Sequence, residues 1–219
     1  MLKRQWIDDG LVEVGLDEAG RGSLWGRLYV GAVIMSPDDE SYFDNGVVLR
    51  QIKDSKKLTP RRRAVLNDFI HENAIEAVTM WAEPEEIDKI NILQADMAAM
   101  HRALDLFEVP FQRILVDGNV WNPWYSKQTE VPGITIEKGD SVSLPIAAAS
   151  IIAKEAHDNW VQEMVRNDPR LEERYGLAKN MGYGTAKHMT GLQRWGPDVL
   201  HRRSFAPVRA VHPLFTHGA

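Results

Sequence analysis

Four acidic residues stand where apolar runs stop. Asp17 and Glu18 follow Leu11-Val12-Glu13-Val14-Gly15-Leu16, Asp117 follows Arg113-Ile114-Leu115-Val116, and Asp140 comes after Ile134-Thr135-Ile136-Glu137 by way of Lys138-Gly139. In α/β sheets ligand sites gather at strand ends, so side chains with this spacing can converge. Carboxylates that share a pocket repel one another and raise each other's pKa unless a cation intervenes. Mg²⁺ removes that conflict, because it takes oxygen ligands and leaves positions for water and substrate phosphate. With two ions about 3.5–4 Å apart, one serves the attacking water and the other the leaving oxygen of a phosphodiester. Any single aspartate beside a glycine also reads as turn chemistry. The adjacent acids Asp17 and Glu18 resist that reading, since two neighbouring charges at the end of a buried strand carry a desolvation cost without an evident structural return. Spacing alone does not establish convergence.

The elements that must position these acids read as an α/β layered domain with a mixed sheet. Residues 11–16 and 28–35 are expected as two strands joined in a hairpin by the glycine-rich stretch from Gly20 to Gly26. Thr59-Pro60 reads as an N-cap followed by proline at the first helical position, opening a helix that runs to about Asn73. Ala74 to Trp81 is rich in β-branched and aromatic residues and is expected as a third strand. Leu93, Met97, Met100, Leu104 and Phe107 then recur at helical spacing. Residues 113–116 and 134–137 are two further strands, and the small residues of Ile146 to Lys154 make a helix that can pack very closely. Beyond Asp168, proline, glycine and arginine become frequent and shorter helices with loops are expected. This divides the chain into a catalytic core over 1–168 and a C-terminal helical, substrate-binding segment over 169–219, packed as one structural unit.

Composition narrows the chemistry. The 219 residues are 44% hydrophobic and 26% charged, enough to bury a sizeable core. Cysteine is absent, which excludes a disulfide scaffold, thiolate zinc, an iron–sulfur cluster and a cysteine nucleophile. No apolar stretch has the roughly 18 residues of a membrane span, and the start lacks the apolar core of a signal peptide, so a cytoplasmic protein is expected. The formal net charge of −5 argues against a polyanionic partner, but the charge is uneven. From Lys179 onward Lys179, Lys187, Arg194, Arg202, Arg203 and Arg209 face only Asp198. Arg50, Lys53, Lys56, Lys57, Arg61, Arg62 and Arg63 form a second basic run, relieved only by Asp54. Such runs are ordinarily solvated faces. Two of them on an acidic chain also fit a nucleic-acid groove beside an acidic site.

The string Gly15-Leu16-Asp17-Glu18-Ala19-Gly20-Arg21-Gly22 resembles the signature of the ribonuclease HII family, the type 2 ribonucleases H. Asp54-Ser55-Lys56-Lys57-Leu58, Ile114 to Asn119, Lys138-Gly139-Asp140, Ile146 to Lys154, Gly182-Tyr183-Gly184-Thr185 and His201 to Val208 agree in order, so the match covers roughly residues 11–208. The resemblance implies a ribonuclease H-like fold, a mixed β-sheet flanked by helices with a small C-terminal helical part. It implies an endoribonuclease that hydrolyses the RNA strand of RNA–DNA hybrids and cuts 5′ to single ribonucleotides in duplex DNA, leaving a 3′-hydroxyl and a 5′-phosphate. Asp17, Glu18, Asp117 and Asp140 fall on the family's metal-binding acids, with Mg²⁺ or Mn²⁺ expected as two ions. Gly20, Arg21 and Gly22 fall on the loop that contacts the ribonucleotide 2′-hydroxyl, and Tyr183 on the tyrosine at the RNA–DNA junction. The chemistry of the residues agrees with these roles, because glycine permits close backbone approach, arginine can serve a phosphate, and a tyrosine ring can press on a sugar or base.

Ser23, Trp25 and Arg27 depart from the family's usual residues after the signature, as do Val142, Pro145 and Met181 elsewhere. A junction resolvase-like nuclease of the same superfamily, or a catalytically weakened hybrid-binding module, are the alternatives. Only about ten residues precede the first strand, which favours type 2 over the related type 3 enzymes with their additional N-terminal domain. The partners expected are RNA–DNA hybrid and ribonucleotide-containing DNA, bound by a monomer. Val211-His212-Pro213-Leu214-Phe215 is a poor match to a docking motif for a replication clamp. His188 is expected on a surface helix, and His201 as a residue satisfying the C-terminal fold.

Overall fold

The computed structural model describes residues 2–38 and 48–211. Its main sheet has the strand order β3-β2-β1-β4-β7, built from β1 (Glu13–Ala19), β2 (Leu28–Ile34), β3 (Glu76–Ala82), β4 (Arg113–Asp117) and β7 (Gly133–Ile136). β1 and β2 are neighbours across the short 20–27 connection, as expected of a hairpin. β4 runs parallel to both β1 and β7, with Leu16 opposite Val116 and Asp117 opposite Ile136. Three parallel strands therefore end at one edge of the sheet, and that edge carries the acids.

Helix α1 (Pro60–Asn73) begins as its residues dictate: the Thr59 hydroxyl accepts from the Arg62 N–H at 3.3 Å, and Pro60 takes the first helical position. A short helix, α2 (Pro84–Ile90), was not foreseen, and the Asn91 side chain closes the gap after it by accepting from the Gln94 N–H at 3.1 Å. α3 (Ile92–Leu104) buries Met97, Met100 and Leu104, but stops short of Phe107. There the chain tightens into i→i+3 bonds from Leu106 to Ala103 and from Phe107 to Leu104. β5 (Trp124–Ser126) and β6 (Thr129–Val131) form a separate antiparallel hairpin.

α4 (Leu144–Asn167) is longer than the small-residue run suggested. Its first half packs Ala147, Ala148, Ile151 and Ile152 with Val33, Leu66 and Ile70. Close approach to the sheet depends on two glycines: a Cβ on Gly15 would stand 2.3 Å from the Pro145 carbonyl carbon, and one on Gly31 would stand 2.2 Å from the Ala149 oxygen. Pro145 lies in the first turn of α4, where no helical bond is lost. Buried ion pairs complete this region, Arg63 with Glu155 at 2.5 Å and Arg113 with Glu13 at 2.6 Å. After α4 come α5 (Arg170–Tyr175), α6 (Leu177–Asn180), α7 (Ala186–Trp195) and α8 (Ala206–Val211).

The chain forms two compact units. One takes Met1–Ala19, Val30–Met80 and Met97–Glu155, and the other takes Gly20–Tyr29, Trp81–Asp96 and Ala156–Ala219. The second has its own core of Trp25, Val161, Leu171, Tyr175 and Leu177, with a smaller cluster of Leu24, Leu192, Val208 and Val211. Among the described residues no helix is long and apolar enough to cross a membrane. Val211 closes α8, and the rest of the proposed clamp-docking motif, residues 212–215, lies outside the described residues.

Candidate active site

Strand β1 continues through Asp17 and Glu18 to Ala19, so these acids belong to the strand rather than following it. Asp17 is buried and accepts hydrogen bonds from the Glu18 N–H at 2.7 Å and from the Ser150 side chain of α4. Asp117 is the last residue of β4 and accepts from the Gly139 N–H at 2.7 Å. Gly139 lies close against α4, where a Cβ would meet the Ile146 side chain at 2.6 Å and the Asp117 carboxylate at 3.3 Å. The turn over Gly139–Ser141 is thus pressed against α4 and holds Asp140 buried beside Asp117.

The four acids act on one another electrostatically. Burial pushes the Asp17 carboxyl well above the ordinary aspartate range, and the charges of Glu18 and Asp117 push it further, against the hydrogen bonds from Ser150 and Glu18. Burial also raises Asp117, with Glu18 adding to the shift while the Gly139 N–H and Lys56 oppose it. Asp140 is raised by burial and by Asp54 and Asp117. Among the described residues no three such side chains are drawn together closely enough to hold one ion as they stand. The donor set nevertheless fits a hard divalent cation: every group is a carboxylate, three are held above their ordinary pKa, and a cation would relieve the repulsion between them.

Four contributors to this neighbourhood had no assigned role. Lys56 projects its ammonium among the acids; burial works against its charge, but Asp17, Asp140, Asp54 and Asp117 outweigh that and raise its pKa. Asp54 shares a hydrogen bond with Asp140 while accepting from the Lys56 N–H at 2.9 Å. Ser55 and Ser150 hydroxyls lie 2.8 Å apart in a buried contact, which links the turn over Ser55–Lys57 to Asp17 through Ser150. The signal was present in Asp54-Ser55-Lys56-Lys57 and in the one hydroxyl of Ala147-Ala148-Ala149-Ser150. The basic character of the first and the small-residue character of the second obscured it.

Gly20, Arg21, Gly22 and Tyr183 come together in the second unit. Gly20 has φ +83°, and a Cβ on it would strike the His157 ring at 2.5 Å. A Cβ on Gly22 would touch the Tyr183 ring at 3.7 Å, an ordinary contact distance, so that ring lies over the loop. The Arg21 guanidinium is half exposed and stands 3.6 Å from the buried Asp96 carboxylate. Behind the loop, fully buried Arg202 donates to the carbonyls of Arg21 and Gly26, each at 3.0 Å. Burial lowers the Arg202 pKa to about 10.

The unusual residues after the signature are built into this unit. Trp25 is fully buried, packs its ring 5.3 Å from Trp160 and donates to the Asp198 carboxylate at 3.0 Å. Arg27 lies over the rings of Trp81 and Trp160 at 4.7 and 5.0 Å and pairs with Glu83 at 2.7 Å. The Ser23 hydroxyl donates to the Met181 carbonyl at 3.3 Å, and Met181 itself packs on the Trp25 cluster. Val142 is half-exposed, and its carbonyl accepts from the Lys3 N–H at 2.8 Å. α7 is a surface helix, as expected for His188, with Lys187, Thr190 and Gln193 exposed, but the His188 side chain faces inward. Its ring is fully buried against that of His201, because α7 turns this position toward Tyr175.

The family model described as Ribonuclease HII matches residues 14–208. A ribonuclease HII of Bacteroides thetaiotaomicron is 40% identical over 200 residues, which is 91% of this chain and 92% of that protein. The chain belongs to the ribonuclease HII family. Family membership makes it a nuclease of the ribonuclease H type, and the fold agrees. The structure of ribonuclease H2 from Pyrococcus horikoshii superposes with a TM-score of 0.71 at 24% identity, covering 94% of this chain and 99% of that one. A structure described as Bst-RNase HIII in complex with Mn²⁺ superposes with a TM-score of 0.64 at 18% identity, covering 93% of this chain and 70% of that one.

Proposed function

We propose that the chain hydrolyses the RNA strand of RNA–DNA hybrids and cuts duplex DNA on the 5′ side of a single embedded ribonucleotide, leaving a 3′-hydroxyl and a 5′-phosphate. The observation that carries this reading is the shared strand edge of a ribonuclease HII-family chain, where Asp17, Glu18, Asp117 and Asp140 feel one another's charge. These four side chains would hold two Mg²⁺ or Mn²⁺ ions, a choice supported by the Mn²⁺ named for the ribonuclease HIII structure of like fold. Such ions, when bound, supply the charge that favours an attacking water and offsets the charge gathering on the departing 3′ oxygen.

The chain's own groups do the rest. The Ser150 hydroxyl and the Gly139 N–H orient the carboxylates of Asp17 and Asp117. Lys56 offsets part of the negative charge that an entering phosphodiester would add. Discrimination rests on the 2′-hydroxyl, the one group that separates RNA from DNA at a single nucleotide. Gly22 leaves the loop backbone open to close approach beside the Tyr183 ring, which serves the sugar, Gly20 lets the loop turn at positive φ against His157, and Arg21 serves a phosphate. The deciding assay incubates three duplexes (one embedded ribonucleotide, a long hybrid, and all DNA) with Mg²⁺, Mn²⁺ or chelator. Cleavage of the first two, only with an ion and always leaving a 3′-hydroxyl, is the expected result. Equal cutting of the all-DNA duplex would overturn the ribose reading, and undiminished cutting in chelator would overturn the ion requirement.

A further inference from the structure

Behind Tyr183 two histidine rings are buried almost completely, His188 at 0% and His201 at 1% exposure. Their hydrogen bonds run in one direction. The Asp198 N–H donates to His201 Nδ1 at 2.8 Å, so Nδ1 is the acceptor and the proton of the neutral ring sits on Nε2. That Nε2–H points at His188 Nε2, 2.9 Å away, which must accept. The His188 proton is then on Nδ1, which donates to the Tyr183 carbonyl at 3.0 Å. All four ring nitrogens are used and each ring is neutral; a proton added to either would set N–H against N–H. The groups facing the pair agree with neutrality. Tyr175 lies against both rings and directs its own hydroxyl to the Gly196 carbonyl at 2.8 Å, while the Asp198 carboxylate accepts from Trp25 and Leu200. Burial keeps His188 below the ordinary histidine range and His201 at about 3.

The chain of bonds ends on Tyr183, whose N–H donates to the Asn180 carbonyl at 2.9 Å and whose carbonyl also accepts from the Thr185 N–H at 2.8 Å. Its other end adjoins Arg202, which holds the carbonyls of Arg21 and Gly26. One two-residue segment, His201-Arg202, therefore governs both the loop and the ring laid over it. We propose that His188 and His201 are positioning residues for Tyr183: a proton-ordered pair that sets the pitch of its ring over Gly22, and with it the preference for a ribonucleotide at the cut. The proposal rests on the reading that Tyr183 contacts the ribonucleotide.

The test compares kcat and KM on a single-ribonucleotide duplex and a long hybrid, together with thermal midpoints, for the wild-type chain and four variants. In His188→Asn the amide nitrogen takes the place of Nδ1 and can still donate to the Tyr183 carbonyl. In His188→Gln the amide sits at the Nε2 end and that donor is lost. Both variants lower the midpoint. His188→Gln is expected to lose about three- to tenfold of the preference for the single ribonucleotide, mainly through KM, the scale of one lost hydrogen bond. His188→Asn should stay within about twofold of the wild-type preference. Tyr183→Ala separates the two ideas. If it shifts the preference while both His188 variants keep the wild-type ratio, the positioning role is overturned and the reading of Tyr183 stands. If Tyr183→Ala leaves the ratio unchanged, the reading falls and the proposal with it. Should His188→Gln not fold, His201→Gln carries the same test, since its amide still reaches His188 Nε2 but no longer accepts from Asp198. A partial loss of preference is expected there, and a wild-type ratio overturns the proposal.

Discussion

Asp17 is a residue on which stability and chemistry pull in opposite directions. Its folded pKa lies above its ordinary value, so the folded chain holds the protonated form more tightly than the unfolded chain does. The linkage then has a definite sign: stability is greatest with Asp17 protonated and is lost as pH rises through the raised value. Asp17→Asn keeps the shape and removes the buried charge, so in chelator its thermal midpoint should exceed that of the wild type. Cleavage should fall by on the order of 10²–10³, because the metal loses an anionic ligand whose effect reaches several kcal/mol in the transition state. Single-turnover rates and melting curves on one preparation check both halves, and a lowered midpoint would count against the electrostatic account. Ser150→Ala tests the support behind Asp17. It removes the hydroxyl that touches both Asp17 and Ser55, and about a 10- to 100-fold loss in activity or ion affinity is expected, with the ion titration showing which.

At the scale of elements, the site depends on how near α4 lies to the sheet. The Gly15 position faces backbone atoms of Pro145, which cannot rotate out of the way, so Gly15→Ala forces strand and helix apart. A loss of about 1–3 kcal/mol is expected from urea unfolding, with activity falling further than stability because Ser150 moves with the helix. The same closeness explains what the sequence could show of the fold. Thr59-Pro60 announces α1, and the small residues from Ile146 announce a closely packed helix, since local chemistry decides each. The β5–β6 hairpin carries no such mark, because its turn places Lys127 and Gln128 at positive φ where asparagine or glycine would be the usual signal. α2, at seven residues, is too short for a periodic stripe. Within the site, Asp117 and Asp140 were legible because an apolar run stops before each, and Asp17 because it interrupts one inside β1; Asp54 and Lys56 enter from a turn whose position no hydrophobic pattern reveals. That His188 faces inward from its surface helix was not legible for a related reason, since the short α7 gives few residues from which to judge the buried face.

At the scale of the whole molecule, the two basic segments are less available to phosphate than their composition implied. Arg202 is buried under the loop, Lys187 pairs with Glu172 at 3.3 Å, Arg63 is buried with Glu155, and Lys56 stands among the acids. What remains is a chain whose pH response is set by two groups of opposite sign. The raised carboxylates of Asp17, Asp117 and Asp140 withdraw stability as pH climbs through their raised values. His201, lowered from 6.5 to about 3, does the reverse: its contribution is complete above the ordinary histidine value and is lost as pH falls toward 3. In chelator His201 should therefore lower stability as pH falls below the ordinary histidine value, and the carboxylates should lower it as pH climbs from the ordinary aspartate value toward their raised values. Adding Mg²⁺ or Mn²⁺ should lift the neutral side alone, because only ionised carboxylates bind the ion and binding to the folded state adds stability by mass action. Urea midpoints measured across this pH range with chelator and with ion decide the matter. The difference between the two curves should be small near pH 4 and grow toward pH 7, whereas His201→Gln should flatten the acid limb and leave that difference intact. A uniform effect of the ion at every pH would show that it binds elsewhere than at the strand-edge carboxylates.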